Sequence, residues 1–281
     1  MEWKKKHNPT EYYDVEGMHE ALSVGIFYCG YDDVDLPPRF TAVEKLNLVD
    51  GQIGLYKRIC NQAFDYLATV EDPDSMEARA HLIKMLMDLE KVCLLPPVIE
   101  ESYRERGDGR FKKGAKLDIL VSNILEAQAQ TSYNAVVVFC TYPEILEAIG
   151  KCLRGKWGKK EEKEERKNDE RKSRIAVITG ETSSKEIQRI VEDINSGRIK
   201  VVLISDDAVK NLNLNLRLNL MVIVHYNIPW QAELMEERLR CVRHPEYTKR
   251  VVELVLLTVD SLEKVKWERI EKEMKASGSN R

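Results

Sequence analysis

The 281-residue sequence has no long hydrophobic run, and this absence limits where the protein can reside. It contains no stretch of about 18 or more apolar residues, so we expect no membrane-spanning helix. The first residues, from Met1 to Lys6, are charged and lack the apolar core of a signal peptide. We therefore predict a cytoplasmic protein that does not bind membranes.

The six cysteines form no metal-binding pattern, because no two stand in a Cys-x-x-Cys pair and none lies at ligand spacing from a histidine. We predict no metal site and interpret most cysteines as small core residues. Lys and Glu exceed the other polar residues, which weakly indicates a hyperthermophile. In such a host a disulfide is compatible with an intracellular location.

The sequence also lacks the motifs with which a chain binds a nucleoside triphosphate by itself. There is no Gly-x-x-x-x-Gly-Lys-Ser/Thr loop, and no Asp-Glu-x-His or Asp-Glu-x-Asp follows a predicted strand. Without them the chain has neither a nest of backbone amides for the phosphates nor carboxylates for Mg²⁺. A Ser/His/Asp or Cys/His site stays open, because such triads assemble in space rather than in sequence.

The charge balance excludes a uniformly basic nucleic-acid binder. Lys and Arg number 44 against 47 Asp and Glu, a net charge of -3, so a phosphate contact requires a local patch. Residues 154–172 form one charged run, with nine basic and six acidic side chains. This insert is either a solvated helical extension stabilised by its own i,i+4 pairs, or a basic arm whose Trp157 stacks on a base.

Hydrophobic spacing divides the chain at about residue 130. The earlier part predicts a half-exposed strand at Thr41–Leu48, a helix capped by Asp50, a helix from Ser75 to about Leu94, and a third helix around Leu117. We predict three regions: an irregular segment at 1–35, a mostly helical elaboration at 36–131, and a domain of alternating strands and helices at 132–281.

The later part predicts a parallel sheet between helices, because its apolar strands do not alternate with polar residues and so are buried on both faces. The predicted strands are 135–140, 174–179, 200–205, 220–226 and 250–258. The predicted helices are about 143–154, 183–196, 231–243 and 261–276.

A series of short motifs runs through this domain: Ala135–Phe139 with Cys140–Pro143, Gly180–Thr182, Ser205–Ala208, Asn211–Leu214, and Pro229–Trp230 before Arg238, Arg240 and Arg243. Upstream stand Leu36–Pro38, Leu89–Pro96 and Gly114–Leu117. Their order resembles the second motor lobe of superfamily-two helicases, most closely the Swi/Snf-type DNA translocases. The resemblance implies an α/β fold with a RecA-like parallel sheet flanked by helices, and nothing in the chain resembles the first lobe.

The resemblance also implies a DNA-binding surface. In that family the segments matching Phe139–Tyr142 and Gly180–Thr182 contact the DNA backbone, where hydroxyls and strand-end amides donate to phosphate oxygens. The implied nucleic-acid-binding residues are Thr141, Tyr142, Gly180, Thr182, Ser205, Lys210 and Asn211. An alternative for the second segment is that Thr182 or Ser183 caps the following helix.

The glycine-rich motif of the family is altered in this chain. The family has Ser-Thr-x-Ala-Gly-Gly-x-Gly-Leu-Asn-Leu, whereas Val209 and Lys210 stand here where two glycines belong, and Asn211 replaces the third. Valine does not tolerate the positive φ that a close approach to a ligand requires. We therefore expect Ala208, Leu212, Leu214 and Leu216 to pack in the core.

The family's last motif, Gln-Arg-x-Gly-Arg-x-x-Arg, supplies two arginine fingers, and it matches this chain in two ways. Counted from Trp230 without a gap, Cys241 and His244 occupy the finger positions. With a one-residue deletion, Arg240 and Arg243 occupy them instead, and these are our candidate catalytic residues. A third interpretation is that Arg238, Arg240 and Arg243 are surface residues that pair with nearby glutamates.

These features predict a helicase lobe with no ATPase activity of its own. ATP and Mg²⁺ are expected as cofactors only if a separately encoded first lobe is bound, because fingers act only on phosphates that another surface holds. The first hypothesis is half of a DNA translocase. The second is a non-catalytic module that binds DNA or a protein, and the third is a fragment of a longer protein.

Overall fold

A parallel six-stranded sheet runs through the computed structural model, which describes residues 39–100, 114–129, 135–161, 174–242 except 211, 215 and 219, and 250–276. The sheet has the order β1-β6-β5-β2-β4-β3. Its strands are β1 (Arg39–Leu46), β2 (Ala135–Cys140), β3 (Ile175–Ile178), β4 (Val201–Ser205), β5 (Met221–His225) and β6 (Val251–Thr258).

Eight helices accompany the sheet in the described residues. They are α1 (Asp50–Thr69), α2 (Met76–Leu94), α3 (Ala115–Ala129), α4 (Pro143–Glu161), α5 (Ser184–Asn195), α6 (Asp206–Val209), α7 (Ala232–Arg240) and α8 (Leu262–Ala276).

The strand predictions are confirmed to within one residue at each end for β2 to β6. The fully buried runs of β2 and β4 explain this success, because strands covered on both faces need no polar alternation. Two helix ends differ from prediction: α4 continues to Glu161, into the charged run, and α7 ends at Arg240 rather than at residue 243.

The two faces of the sheet bury separate apolar layers. Along β2, Val136, Val138 and Cys140 point into the layer formed with α3 and α4, while Val137 and Phe139 point into the layer formed with α5 and α7. Each fully buried aliphatic or aromatic side chain contributes about 1.5–3 kcal/mol to stability. Three cysteines, Cys93, Cys140 and Cys241, are buried as predicted, and the five cysteines of the described part are all free.

The helical N-terminal part shares this core. Strand β1 pairs in parallel with β6 and forms an edge of the sheet, and Leu46, Leu94 and Leu117 pack in the same layer as β2. The predicted strand Thr41–Leu48 is thus an edge strand that begins and ends two residues earlier.

Helix α1 begins differently from the prediction. Asp50 is its first residue and not its cap; the capping position is Val49, whose N–H donates to Oε1 of Gln52 (3.2 Å). The Gln52 Nε2 atom also donates to the carbonyl of Val92 (2.8 Å), so this buried amide joins α1 to α2. Helix α2 begins as predicted, with Ser75 accepting from the N–H of Ala78.

A buried lysine joins α3 to the sheet. The Lys116 ammonium donates to the carbonyls of Tyr226 and Leu256 (both 2.7 Å) and to Oε1 of Glu263 (2.6 Å). Glu263 in turn accepts the N–H of Thr258 (2.9 Å). Both side chains of the ion pair are fully buried, and all three ammonium protons have an acceptor.

We predict that Lys116→Met lowers the free energy of unfolding by about 3–5 kcal/mol, because it leaves the Glu263 carboxylate buried without its cation. The measurement is chemical denaturation followed by circular dichroism. Lys264→Met, which removes an exposed lysine of α8, is the matched control and should change little. A loss for Lys116→Met as small as that of the control would show that the buried pair does not stabilise the fold.

Candidate nucleic-acid interface

The carboxyl ends of four neighbouring strands bring the predicted site residues to one edge of the sheet. Thr141 follows β2, Gly180 follows β3, Ser205 ends β4, and Asn227 follows β5. The strand order places these ends side by side as β5-β2-β4-β3. In open parallel sheets this edge is where ligands bind. We call it the carboxyl edge.

Arg238 of α7 lies at the centre of this edge and is completely buried, which corrects its interpretation as a surface residue. Its Nε and Nη2 atoms donate to the two carboxylate oxygens of Asp206 (2.7 and 2.8 Å). Its remaining protons go to the carbonyl and Oδ1 of Asn227 and to Nδ1 of His225. All five N–H donors of the guanidinium therefore have acceptors.

Asp206 stays ionised inside this cluster. Burial alone would raise the pKa of Asp206, but the charge of Arg238 and the hydrogen bonds from Arg238 and Thr141 outweigh it and lower the pKa. The pairing is bidentate, which is the strongest geometry for a guanidinium and a carboxylate.

Thr141 is exposed, yet its polar groups are engaged within the edge. Its hydroxyl donates to Oδ2 of Asp206 (2.6 Å), and its backbone N–H donates to Oδ1 of Asn227 (3.0 Å). The Asn227 amide completes the link by donating to the Thr141 hydroxyl and to Glu90 of α2. A phosphate at Thr141 would have to compete with Asp206 and Asn227 for these donors.

His225 extends the cluster toward β6 and is neutral. Because Arg238 can only donate, Nδ1 of His225 accepts, and Nε2 carries the proton that it donates to Oε1 of Glu253 (2.8 Å). Burial lowers the pKa of His225 below its ordinary value; the hydrogen bond and the charge of Glu253 oppose this shift, and the charge of Arg238 adds to it. Burial alone would raise the pKa of Glu253, but hydrogen bonds from His225 and Thr41 lower it to about 2.

Two predicted nucleic-acid-binding residues, Tyr142 and Ser205, do not reach the surface. Tyr142 is buried and its hydroxyl donates to Glu90 (3.1 Å). Ser205 is completely buried and its hydroxyl donates to Asp207. Both side chains therefore point inward, and nucleic-acid binding at these two positions stays a prediction.

The turn after β3 keeps its glycine for a local reason. Gly180 is exposed, and a Cβ atom there would lie 2.8 Å from Oδ2 of Asp207, so any other residue would force a shift. Thr182 accepts the N–H of Thr179 through its hydroxyl (2.9 Å), and Ser183 caps α5 by accepting from Glu186. Of the two capping alternatives, Ser183 is therefore the one observed.

The altered glycine motif forms the short helix α6 instead of an open loop. Val209 is buried in this turn, and Lys210 follows it with φ -59° and an exposed side chain. The expected packing of Ala208, Leu212, Leu214 and Leu216 is confirmed, since all four are buried. Asn211 lies outside the described residues.

The candidate fingers are only partly described. Arg240 is exposed at the last position of α7, whereas Arg243 and His244 lie outside the described residues. Cys241, the finger position of the ungapped match, is buried, and its Sγ lies 3.2 Å from the carbonyl oxygen of Arg238.

Trp230, the residue from which the finger motif is counted, is itself exposed near this edge. It is 44% exposed in the loop after β5, and the Lys266 ammonium lies 4.7 Å from its ring centroid. Lys266 is buried and forms an ion pair with Glu90 (2.8 Å). An exposed tryptophan supported by a fixed cation is a signal that the sequence alone does not provide, because Lys266 is remote in the chain.

Neither a metal cluster nor a membrane span is found in the parts of the chain that the structure describes. No three His, Cys, Asp or Glu side chains there are grouped so as to hold a metal ion. None of the helices within those ranges is long and apolar enough to cross a bilayer.

Comparison with known proteins agrees with this architecture. Residues 115–244 match the family model described as the helicase conserved C-terminal domain. This part of the chain is similar to the helicase C-terminal domain. The matched range begins at the first residue of α3 and contains Arg238 with its partners Asp206, Asn227 and His225. No curated protein sequence matches the chain.

The chain is similar in fold to solved Swi2/Snf2 lobes. The C-terminal part of the Fun30 ATPase domain gives a TM-score of 0.61 at 15% identity, with 83% of this chain and 89% of that chain covered. The Sulfolobus solfataricus SWI2/SNF2 ATPase C-terminal domain gives 0.59 at 15%, covering 84% and 89%. The core from the same organism in complex with dsDNA gives 0.64 at 16%, covering 98% and 52%.

These likenesses confirm the RecA-like α/β fold and the predicted resemblance to the C-terminal lobe of Swi/Snf-type ATPases. The chain spans about half the length of the core that was solved with DNA, since 52% of that core is covered.

We predict that the domain loses stability in acid because of Glu253. Its pKa in the folded state is lowered to about 2 from an ordinary value of 4.5, so the unfolded state binds more protons between these values. The stabilisation that ionised Glu253 gives to the folded state is complete above pH 4.5, and it is lost as the pH falls through about 2. Glu253→Gln should be less stable at pH 7, and its stability should fall less between pH 5 and 3 in denaturation experiments. Equal pH slopes for the two proteins would contradict the prediction.

Proposed function

We propose that this chain is the second lobe of a DNA-directed helicase motor, that it binds DNA, and that it does not hydrolyse ATP alone. ATP and Mg²⁺ would bind only with a first lobe, which we expect on a separate polypeptide. The observation that carries the proposal is the correspondence of nearly the whole chain to one half of a core solved with dsDNA.

We expect no hydrolysis because the chain lacks the groups with which the first lobe of a motor holds the phosphates and Mg²⁺. The sequence contains no phosphate-binding loop, and no Asp-Glu-x-His or Asp-Glu-x-Asp motif follows a strand to hold Mg²⁺. At the carboxyl edge, Arg238 already has an acceptor for every donor, so it is not available to a phosphate. The helical turn α6 also replaces the glycines that would allow a close backbone approach.

The proposed DNA contacts lie on the outer rim of the edge. Lys210 offers the exposed positive charge after β4, and Thr182 and Gly180 present the turn after β3. Trp230 offers an exposed ring on which a base can stack. The exposed Asp207 carboxylate beside Gly180 opposes phosphate binding, so we expect modest affinity.

A second candidate is a non-catalytic binding module on the same fold. The ungapped match supports it, because it places Arg238 at the first arginine of the motif and a buried cysteine, Cys241, at a finger position. In this case no first lobe is needed, and DNA or a protein is the only ligand. The gapped match, with Arg240 and Arg243 as fingers, supports the split motor instead.

We predict that Lys210→Glu weakens binding to a DNA duplex by about tenfold, since it reverses one charge at the rim. The measurement is fluorescence anisotropy with labelled duplex at several salt concentrations. The salt slope should decrease by about 0.9, the effect of losing one phosphate contact. Lys264→Glu, at an exposed position of α8, is the control. Equal losses for both variants would mean that binding is not localised at the rim.

We predict that the purified chain shows no ATP turnover, with or without DNA, because no residue set for the β- and γ-phosphates is present. Phosphate release is the measurement. If a first lobe restores turnover, Arg240→Ala combined with Arg243→Ala should abolish the gain, as removal of fingers costs about 10³-fold. Turnover by the chain alone would refute the proposal, and an unaffected double variant would refute the finger assignment.

A further inference from the structure

The end of the α1–α2 hairpin carries an apolar surface that the sheet and its helices leave uncovered. Among the described residues, eleven large hydrophobic side chains are exposed, and six of them lie between positions 64 and 87. We call them the hairpin surface: Phe64, Leu67, Met76, Ile83, Leu86 and Met87. Scattered exposed apolar residues are normal, but a cluster of this kind marks an interaction site.

The α2 part of this surface continues a buried face of the same helix. Leu86 lies seven residues before Cys93, and Met87 lies seven before Leu94, so each pair shares one side of the helix. Cys93 and Leu94 are almost completely buried against the rest of the domain, whereas Leu86 and Met87 are about 40% exposed. This side of α2 is therefore buried near the C-terminal end of the helix, at Cys93 and Leu94, and exposed about two turns earlier, at Leu86 and Met87.

The α1 part of the surface lies beside it. The rings of Tyr66 and His81 are in contact, with centroids 4.3 Å apart, which fixes the register of the two antiparallel helices. In this register Phe64 is level with Ile83, and these two side chains are 70% and 57% exposed. Two neighbouring helices thus present exposed apolar side chains at the same height, an arrangement that a third helix can cover.

The charge around the surface selects the kind of partner. Residues 61–88 contain two basic and six acidic side chains, 2 - 6 = -4, while the whole chain has a net charge of -3. One of the basic residues, Arg79, is paired with Asp74 (2.8 Å). The hairpin end therefore carries an excess of acidic side chains, which disfavours a nucleic acid and favours a basic partner.

We propose that the hairpin surface binds a basic amphipathic helix of a partner polypeptide. Apolar side chains at i, i+3, i+4 and i+7 would pack on the hairpin surface, and flanking Lys or Arg would face the acidic residues. Met76 and Met87 suit such a contact, because methionine adapts to irregular shapes. The proposal does not depend on DNA binding or on ATP chemistry.

Other occupants fit the surface less well. A second copy would bring together two hairpin ends of charge -4 each. Residues 1–38 carry three basic and eight acidic side chains, so their charge has the same sign. The insert at 154–172 is basic but has Trp157 as its only large apolar residue, too few to form a stripe.

The test uses the full chain and a synthetic helical peptide of about 18 residues, with Leu at the stripe positions and Lys elsewhere. Fluorescence anisotropy of the labelled peptide should give saturable binding that weakens with salt. Ile83→Asp and Met87→Asp should each weaken it by about tenfold. Val265→Asp, which alters an exposed apolar residue of α8, is the matched control and should bind as the parent does.

Several results would overturn the proposal. These are equal binding of the Lys peptide by the parent and by Ile83→Asp, equal binding of a peptide with Glu in place of Lys, and self-association of the parent in sedimentation that Ile83→Asp abolishes. The substituted side chains are exposed, so unfolding curves of the variants should match the parent. Duplex binding should also be unchanged in Ile83→Asp, which separates this surface from the carboxyl edge.

Discussion

The ion pair between Arg238 and Asp206 is the interaction on which the carboxyl edge depends. A buried guanidinium is costly unless every donor has an acceptor, and here Asp206, Asn227 and His225 supply all of them. These partners come from the ends of different strands. The pair therefore sets the positions of β4, β5 and α7 relative to one another at the edge where a ligand would bind.

Lys116 is a second buried cation whose donors all have acceptors. Its ammonium uses three acceptors at the ends of β5 and β6 and on α8, and it attaches the first helix of the matched helicase domain to the sheet. Two buried cations thus satisfy strand-end groups from within the protein. The inner part of the edge is thus occupied by the protein's own groups, whereas Lys210 and Trp230 at the rim are exposed.

The sheet could be predicted from the sequence because its strands contain unbroken apolar runs such as Val-Val-Leu-Ile at 201–204, which indicate burial on both faces. The Arg238 cluster could not be predicted in this way. Asp206 is 32 residues from Arg238 in the chain, and only the parallel strand order makes them neighbours. The family motifs likewise place Tyr142 and Ser205 at the ends of strands, but they do not reveal that the two hydroxyls donate to Glu90 and Asp207.

The central claim is that Arg238 and Asp206 stabilise the edge as a unit, and a double-mutant cycle tests it most directly. The free energies of unfolding of the parent, Arg238→Met, Asp206→Asn and the double variant would be measured at neutral pH. We predict a coupling free energy of about 2–3 kcal/mol, with the double variant less destabilised than the sum of the single variants. A coupling near zero would contradict the account, because it would mean that the two side chains stabilise the fold independently.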